Sequence, residues 1–117
     1  MEKYIDLLKT LIRIPSFSME ENKVAEIIRR FLSDENIFFY TKYNNTWALN
    51  KHFNPAKPTI LLNSHIDTVR PSTSYKFNPF EPIEKGDIIY GLGSNDAGGS
   101  LISLLATFLY FFKKKEL

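Results

Sequence analysis

The sequence predicts an α/β layer fold with a mixed sheet. Three patterns carry that expectation: apolar residues at helical spacing in two segments near the start, short β-type runs in the middle, and one further helical stripe at the end. Read in order they give ααββ-β-loop-β-α, an alternation that places helices against a sheet.

The first helix is predicted over 4–14, where Tyr4, Leu7, Leu8, Leu11 and Ile12 line one face and Pro15 closes the segment. A second helix follows, with Ser18 and Glu21 spaced as a capping box and Val24, Ile27, Ile28 and Phe31 as its buried stripe. Residues 37–43 and 46–52 read as a hairpin turning at Asn44-Asn45, because Asn tolerates positive φ. Residues 59–63, Thr-Ile-Leu-Leu-Asn, lack alternation and predict a strand covered on both faces. A loop with Pro71, Pro79 and Pro82 spans about 68–86, a length that is usually functional. Residues 87–90 predict a short strand, leading into the Gly-rich stretch 91–99. The last helix carries Leu101, Leu104, Leu105, Phe108, Leu109 and Phe112 on one face, and its trailing lysines complement the helix dipole. There is no repeat and no domain boundary.

Composition narrows the class. At 117 residues, 44% hydrophobic and 24% charged, the chain suits one small globular domain rather than a disordered segment or a coiled coil. No apolar run reaches the roughly 18 residues of a membrane span, and the start has no secretory leader pattern. The absence of cysteine excludes disulfides and thiolate metal sites. The expected location is the cytoplasm. The net charge of +2 resides in the tail: residues 1–112 hold 12 basic and 12 acidic groups. With no basic cluster, neither nucleic acid nor membrane is an expected partner.

Two segments contain residues suited to chemistry. In Asn63-Ser64-His65-Ile66-Asp67-Thr68-Val69, a period of two puts His65 and Asp67 on the same side. Such a pair serves either as a metal-binding imidazole oriented by a carboxylate or as a local structural hydrogen bond. In Gly91-Leu92-Gly93-Ser94-Asn95-Asp96-Ala97-Gly98-Gly99-Ser100, a dinucleotide fingerprint fails because Asp96 stands where glycine is required. A phosphate loop fails because Gly99 replaces its lysine. Asp96 is then either a metal-binding carboxylate on a glycine-rich turn or a favourable acid at a helix start.

Taken together, His65-x-Asp67-Thr68-Val69, the aromatic stretch Tyr75-Lys76-Phe77-Asn78-Pro79-Phe80, and Asp87 to Asp96 resemble the opening of the dinuclear zinc hydrolases of the acetylornithine deacetylase, succinyl-diaminopimelate desuccinylase and carboxypeptidase G family. The variant Gly-Leu-Gly-Ser-Asn-Asp-Ala-Gly looks most like the acetylornithine deacetylase branch. The resemblance implies a three-layer zinc-peptidase-like fold, of which residues 1–117 would be the N-terminal portion of the catalytic domain, without the dimerisation domain. It implies His65 as the ligand of one zinc, Asp67 as the catalytic-site carboxylate that orients it, and Asp96 as the carboxylate bridging two zincs, with cobalt as an alternative metal. It also implies a cis peptide bond after Asp96. The implied reaction is hydrolysis of the amide of a small N-acyl amino acid, in arginine biosynthesis, by a homodimer when complete.

The sequence departs from the family pattern at Gly98, often lysine there, and at Arg70, which precedes Pro71 where proline often follows directly. The general base, a further acidic ligand and a distal histidine of the family have no counterpart. After Asp96 only Glu116, read as a solvated tail residue, is acidic, and His52 sits at a strand end. The isolated chain is therefore expected to be inactive and poorly soluble. The alternatives are a non-catalytic remnant or small interaction module, and a dipeptidase or carboxypeptidase of the same family. No substrate-binding residue is legible.

Overall fold

Apolar spacing at the start of the chain produces helix α1 (Glu2–Ile12) in the computed structural model, which describes residues 1–115. Glu116 lies outside the described residues. The predicted face is the buried one: Leu7, Leu8, Leu11 and Ile12 are all in the core. Helix α2 (Asn22–Asp34) buries Val24, Ala25, Ile28 and Leu32 against it, and Tyr4 meets Phe31 with ring centroids 6.1 Å apart. Ile27 and Phe31, predicted for the buried stripe, are half-buried at its margin.

The start of α2 differs from the capping-box expectation. The helix begins at Asn22 with Glu21 at the cap position, and neither side chain of the expected box closes on the backbone. Ser18 lies instead in a turn in which the Glu20 N–H donates to the Phe17 carbonyl at 2.8 Å. Met19 occupies the left-handed region of that turn at φ 74°, where glycine is the residue ordinarily found. The turn points Ser18 away from the helix it was expected to cap.

The hairpin forms, with shorter strands than predicted: β1 (Tyr40–Lys42) pairs antiparallel with β2 (Asn45–Trp47). Lys42 faces Asn45, so the turn is Tyr43-Asn44, one residue earlier than expected, and Tyr43 carries the positive φ of 54°. Arg29 of α2 explains the shift, donating to the Tyr43 carbonyl at 2.7 Å and to Thr46 Oγ1 at 3.0 Å. That grip fixes the turn from outside the hairpin.

Residues 59–63 do not form a strand. Ile60 is 78% and Leu61 83% exposed, the opposite of a strand covered on both faces. A strand needs a neighbour to receive its backbone hydrogen bonds, and among the described residues none runs beside this segment. The mixed sheet is accordingly replaced by two separate antiparallel hairpins. The second consists of β3 (Ile83–Lys85) and β4 (Ile88–Tyr90), turning at Gly86, φ 58°. It takes the last residues of the predicted 68–86 loop into regular structure.

Helix α3 (Gly99–Phe111) closes the chain and packs on α1. Its predicted stripe is only half-buried; Ile102, outside that stripe, is its one core residue among those described. The lysines follow the helix end instead of lying in its last turn, with Lys114 Nζ 3.7 Å from the centre of the Tyr110 ring. The α3 C-terminal carbonyls are met from 50–51 instead: Asn50 Nδ2 donates to Phe111 O at 2.8 Å and Lys51 N–H to Phe112 O at 3.1 Å. With its apolar segment uncovered, the chain has a radius of gyration of 15.3 Å, against about 13 Å for a compact domain of this size. No described helix is long and apolar enough to cross a membrane.

The strained turn at Met19 sets a test. Met19→Gly removes the Cβ clash of the left-handed conformation and is expected to raise stability by about 0.5–1 kcal/mol, whereas Met19→Val lowers it by about 1 kcal/mol or more. Urea unfolding of the three proteins measures both.

Candidate metal centre

Three segments with no regular structure in common meet at the site, and glycine chemistry decides how. Between β4 and α3, Gly93 takes φ 78°, and a Cβ built there would lie 2.6 Å from Thr68 Cγ2. Only a residue without a side chain lets the Gly-rich turn rest on the segment bearing His65 and Asp67. Gly98 closes the same turn, its N–H donating to the Gly93 carbonyl at 2.7 Å. A Cβ at Gly98 would meet that carbonyl oxygen at 2.6 Å and Leu8 Cδ1 at 2.7 Å. Between the two glycines Asp96 and Ala97 leave helical geometry, at φ/ψ −122°/94° and −121°/25°. The Asp96–Ala97 peptide is cis, as the resemblance implied.

The segment 63–69 is anchored at its far end. Thr68 forms a single parallel bridge with Phe17, its N–H donating to the carbonyl of buried Ser16 at 2.8 Å. That bridge brings the turn containing Ser18 beside Asp67, and the Ser18 hydroxyl donates to Asp67 Oδ2 at 2.5 Å. No pattern in the sequence signals this contact across 49 residues, and the capping-box spacing pointed Ser18 elsewhere.

His65 and Asp67 do lie on the same side. His65 Nδ1 is 3.0 Å from the Asp67 backbone carbonyl and 3.3 Å from Asp67 Oδ1. Both are acceptors, so Nδ1 carries the proton and donates it. In the neutral ring Nε2 then bears a lone pair. It faces Asp96 Oδ1 at 3.0 Å, and two acceptors at that distance repel unless a proton or a cation lies between them. The imidazole is 51% exposed and the Asp96 carboxylate 87%, so the pair is open to solvent.

The titration behaviour follows. His65 is held above its ordinary 6.5, chiefly because its proton is fixed by the Asp67 carbonyl, with partial burial opposing and Asp96 adding a hydrogen bond and negative charge. Asp67 is held below the ordinary carboxylate range, first by the Ser18 hydroxyl and then by its own backbone N–H and the charge of His65.

The zinc implied by the resemblance can be tested on this donor set. An imidazole lone pair and a carboxylate oxygen 3.0 Å apart can both contact one divalent ion at its usual bond lengths of about 2.0–2.2 Å. Among the described residues no group of three or more His, Cys, Asp or Glu converges. The donors therefore fit two coordination positions, one fewer than the three protein ligands usual at catalytic zinc. His52 takes no part in the cluster. It is exposed, and its backbone N–H donates to Asn50 Oδ1 at 2.7 Å.

Comparison with known proteins decides the family. A profile of peptidase family M20/M25/M40 matches residues 61–116, the stretch that contains His65, Asp67 and Asp96. The chain belongs to this family. It is 33% identical over 93 residues to a succinyl-diaminopimelate desuccinylase of Nitratiruptor, covering 79% of this chain and 25% of that protein. A probable carboxypeptidase of Emericella nidulans is 35% identical over 106 residues, covering 84% of this chain and 24% of the relative. A succinyl-diaminopimelate desuccinylase of Blochmanniella floridana is 32% identical over 117 residues, covering 94% and 30%. The chain thus spans between about a quarter and a third of the length of these M20 relatives. Two of these relatives bear the name succinyl-diaminopimelate desuccinylase and the third that of a probable carboxypeptidase.

The electrostatics predict a pH dependence with a definite sign. Raised in the folded chain, His65 contributes stability that is fully present below its unfolded pKa and is lost as pH rises through its folded one. Asp67, depressed, contributes stability that is present above its unfolded pKa and lost as pH falls through its folded one. By NMR, His65 is expected to titrate with a midpoint above 6.5, and Asp96→Ala is expected to move that midpoint down.

Proposed function

We propose that this M20 chain supplies a two-donor half of a zinc centre in an amidohydrolase, with His65 Nε2 and Asp96 Oδ1 as the donors. The observation that carries the reading is the pair of facing lone pairs 3.0 Å apart, with the histidine tautomer already set by Asp67. When bound, a divalent zinc ion polarises an acyl carbonyl and acidifies water. The chain's own residues do the holding. Asp67 keeps the proton on Nδ1, which leaves Nε2 free to donate and makes it a stronger base. Asp96 offers one oxygen toward His65, and its exposure leaves the second oxygen open to a second ion, in keeping with the bridging role the resemblance implies.

The substrate class we favour is an N-succinyl amino acid, because two of the compared relatives bear the name succinyl-diaminopimelate desuccinylase. That moves the expected pathway from arginine to lysine biosynthesis. The 35% identity to a probable carboxypeptidase favours a second reading, cleavage of the last residue of a peptide. Both reactions hydrolyse an amide close to a carboxylate. With two donors among its described residues and no general base beside them, the 117-residue chain by itself is proposed to be inactive.

Two outcomes test this. Equilibrium dialysis with zinc or cobalt is expected to find weak binding at one site, weakened by about tenfold or more in His65→Ala and in Asp96→Ala. Binding unaffected by either substitution would remove the proposed site. Incubated with zinc, the 117-residue chain is expected to leave N-succinyl-diaminopimelate and a carboxyl-terminal dipeptide uncleaved. Zinc-dependent turnover of either would refute the proposed inactivity.

A further inference from the structure

We infer that Ser18 is a positioning residue for this centre: its hydroxyl locks the Asp67 carboxylate in the orientation that fixes the tautomer of His65. The inference rests on the metal reading above for its purpose, but not for its geometry. A carboxylate is planar, so pinning one oxygen sets the direction of the other. Ser18 Oγ donates to Asp67 Oδ2 at 2.5 Å, and Asp67 Oδ1 is thereby held 3.3 Å from His65 Nδ1. A relay runs from hydroxyl to carboxylate to imidazole, ending at the lone pair that faces Asp96.

Two features of the backbone are arranged around this contact. The parallel bridge between Phe17 and Thr68 joins the two segments, and the turn that begins at Phe17 leaves the hydroxyl of the next residue, Ser18, on Asp67. The next residue, Met19, accepts a left-handed φ of 74° without being glycine. Such conformations persist where the surroundings hold them in place. Ser18 thereby forgoes a capping bond at α2, which begins without any side-chain cap.

The rival account is that the Asp67 backbone carbonyl, 3.0 Å from Nδ1, fixes the tautomer unaided. The two accounts differ in one measurable respect. If the carbonyl suffices, the carboxylate and Ser18 are dispensable. If the carboxylate is needed, freeing it lets the neutral ring populate the Nε2–H form, which donates to Asp96 Oδ1 and cannot present a lone pair to a metal.

Long-range ¹H–¹⁵N NMR of His65 in the metal-free chain, well above its titration midpoint, reads the tautomer directly. The wild type is expected to show the Nδ1–H form. Ser18→Ala is expected to shift the population toward Nε2–H and to lower cobalt affinity by about tenfold, while Ser18→Thr, which keeps the hydroxyl, restores both. Should Ser18→Ala fail to fold, Ser18→Cys keeps the volume with a weaker donor and shifts the tautomer in the same direction. An unchanged tautomer in a folded Ser18→Ala or Ser18→Cys chain overturns the inference and leaves the carbonyl account standing. A shifted tautomer in a chain whose wild type binds no cobalt would instead sink the metal reading and keep Ser18 as the positioning residue.

Discussion

The structure around the site depends on one backbone hydrogen bond, from the Thr68 N–H to the carbonyl of Ser16. Net, such a bond contributes only about 1 kcal/mol, yet its position gives it reach. On one side it carries the α1–α2 connection, with buried Ser16 and the Ser18 turn. On the other it fixes the segment that bears His65 and Asp67. Thr68 is also the surface on which Gly93 rests, so the loop holding Asp96 is placed through the same residue. Three stretches far apart in sequence are thus indexed to one another at a single point.

The consequence is a site assembled without a sheet beneath it. The helical core of α1, α2 and α3 is closed by burial of apolar side chains that do not need long-range backbone pairing. The segment leading into His65 does need such pairing, and within the described residues it has none. Residues 59–63 therefore stay exposed, and partial burial begins only at Ser64 and Ile66, shortly before the Thr68 bridge. The site's internal geometry survives because its bonds are local: His65 to Asp67, two residues apart, and Asp67 to Ser18 across the bridge. Its openness is the other side of the same fact, with the Asp96 carboxylate largely in solvent.

Electrostatically the centre turns on the facing of His65 Nε2 and Asp96 Oδ1, 3.0 Å apart. Asp67 commits the Nδ1 proton, so Nε2 and Asp96 Oδ1 compete for a single particle, proton or metal ion. This makes metal occupancy and histidine protonation alternatives at one place. The upward displacement of His65 comes chiefly from the hydrogen bond of its Nδ1 proton to the Asp67 carbonyl, with Asp96 adding to it. Membership of the M20 family supplies the chemical context for the proposal that these two donors belong to a metal centre.

Much of this was legible in the sequence. The helical spacing of Leu7, Leu8, Leu11 and Ile12 identified a core face, because a helix satisfies its own backbone and its buried side follows from the 3.6-residue period. His65, Asp67 and Asp96 were readable because short motifs fix their local neighbours and their glycines. The tertiary structure alone decided what depends on distant partners. Whether 59–63 becomes a strand is settled by the presence of a neighbour, which periodicity does not reveal. The hairpin turned at Tyr43-Asn44 because Arg29 holds that carbonyl. Ser18 carries a capping signal in sequence, but the Met19 turn and the Thr68 bridge deliver its hydroxyl to Asp67. Local propensity proposes a hydrogen bond for each polar side chain, and long-range packing determines which partner receives it.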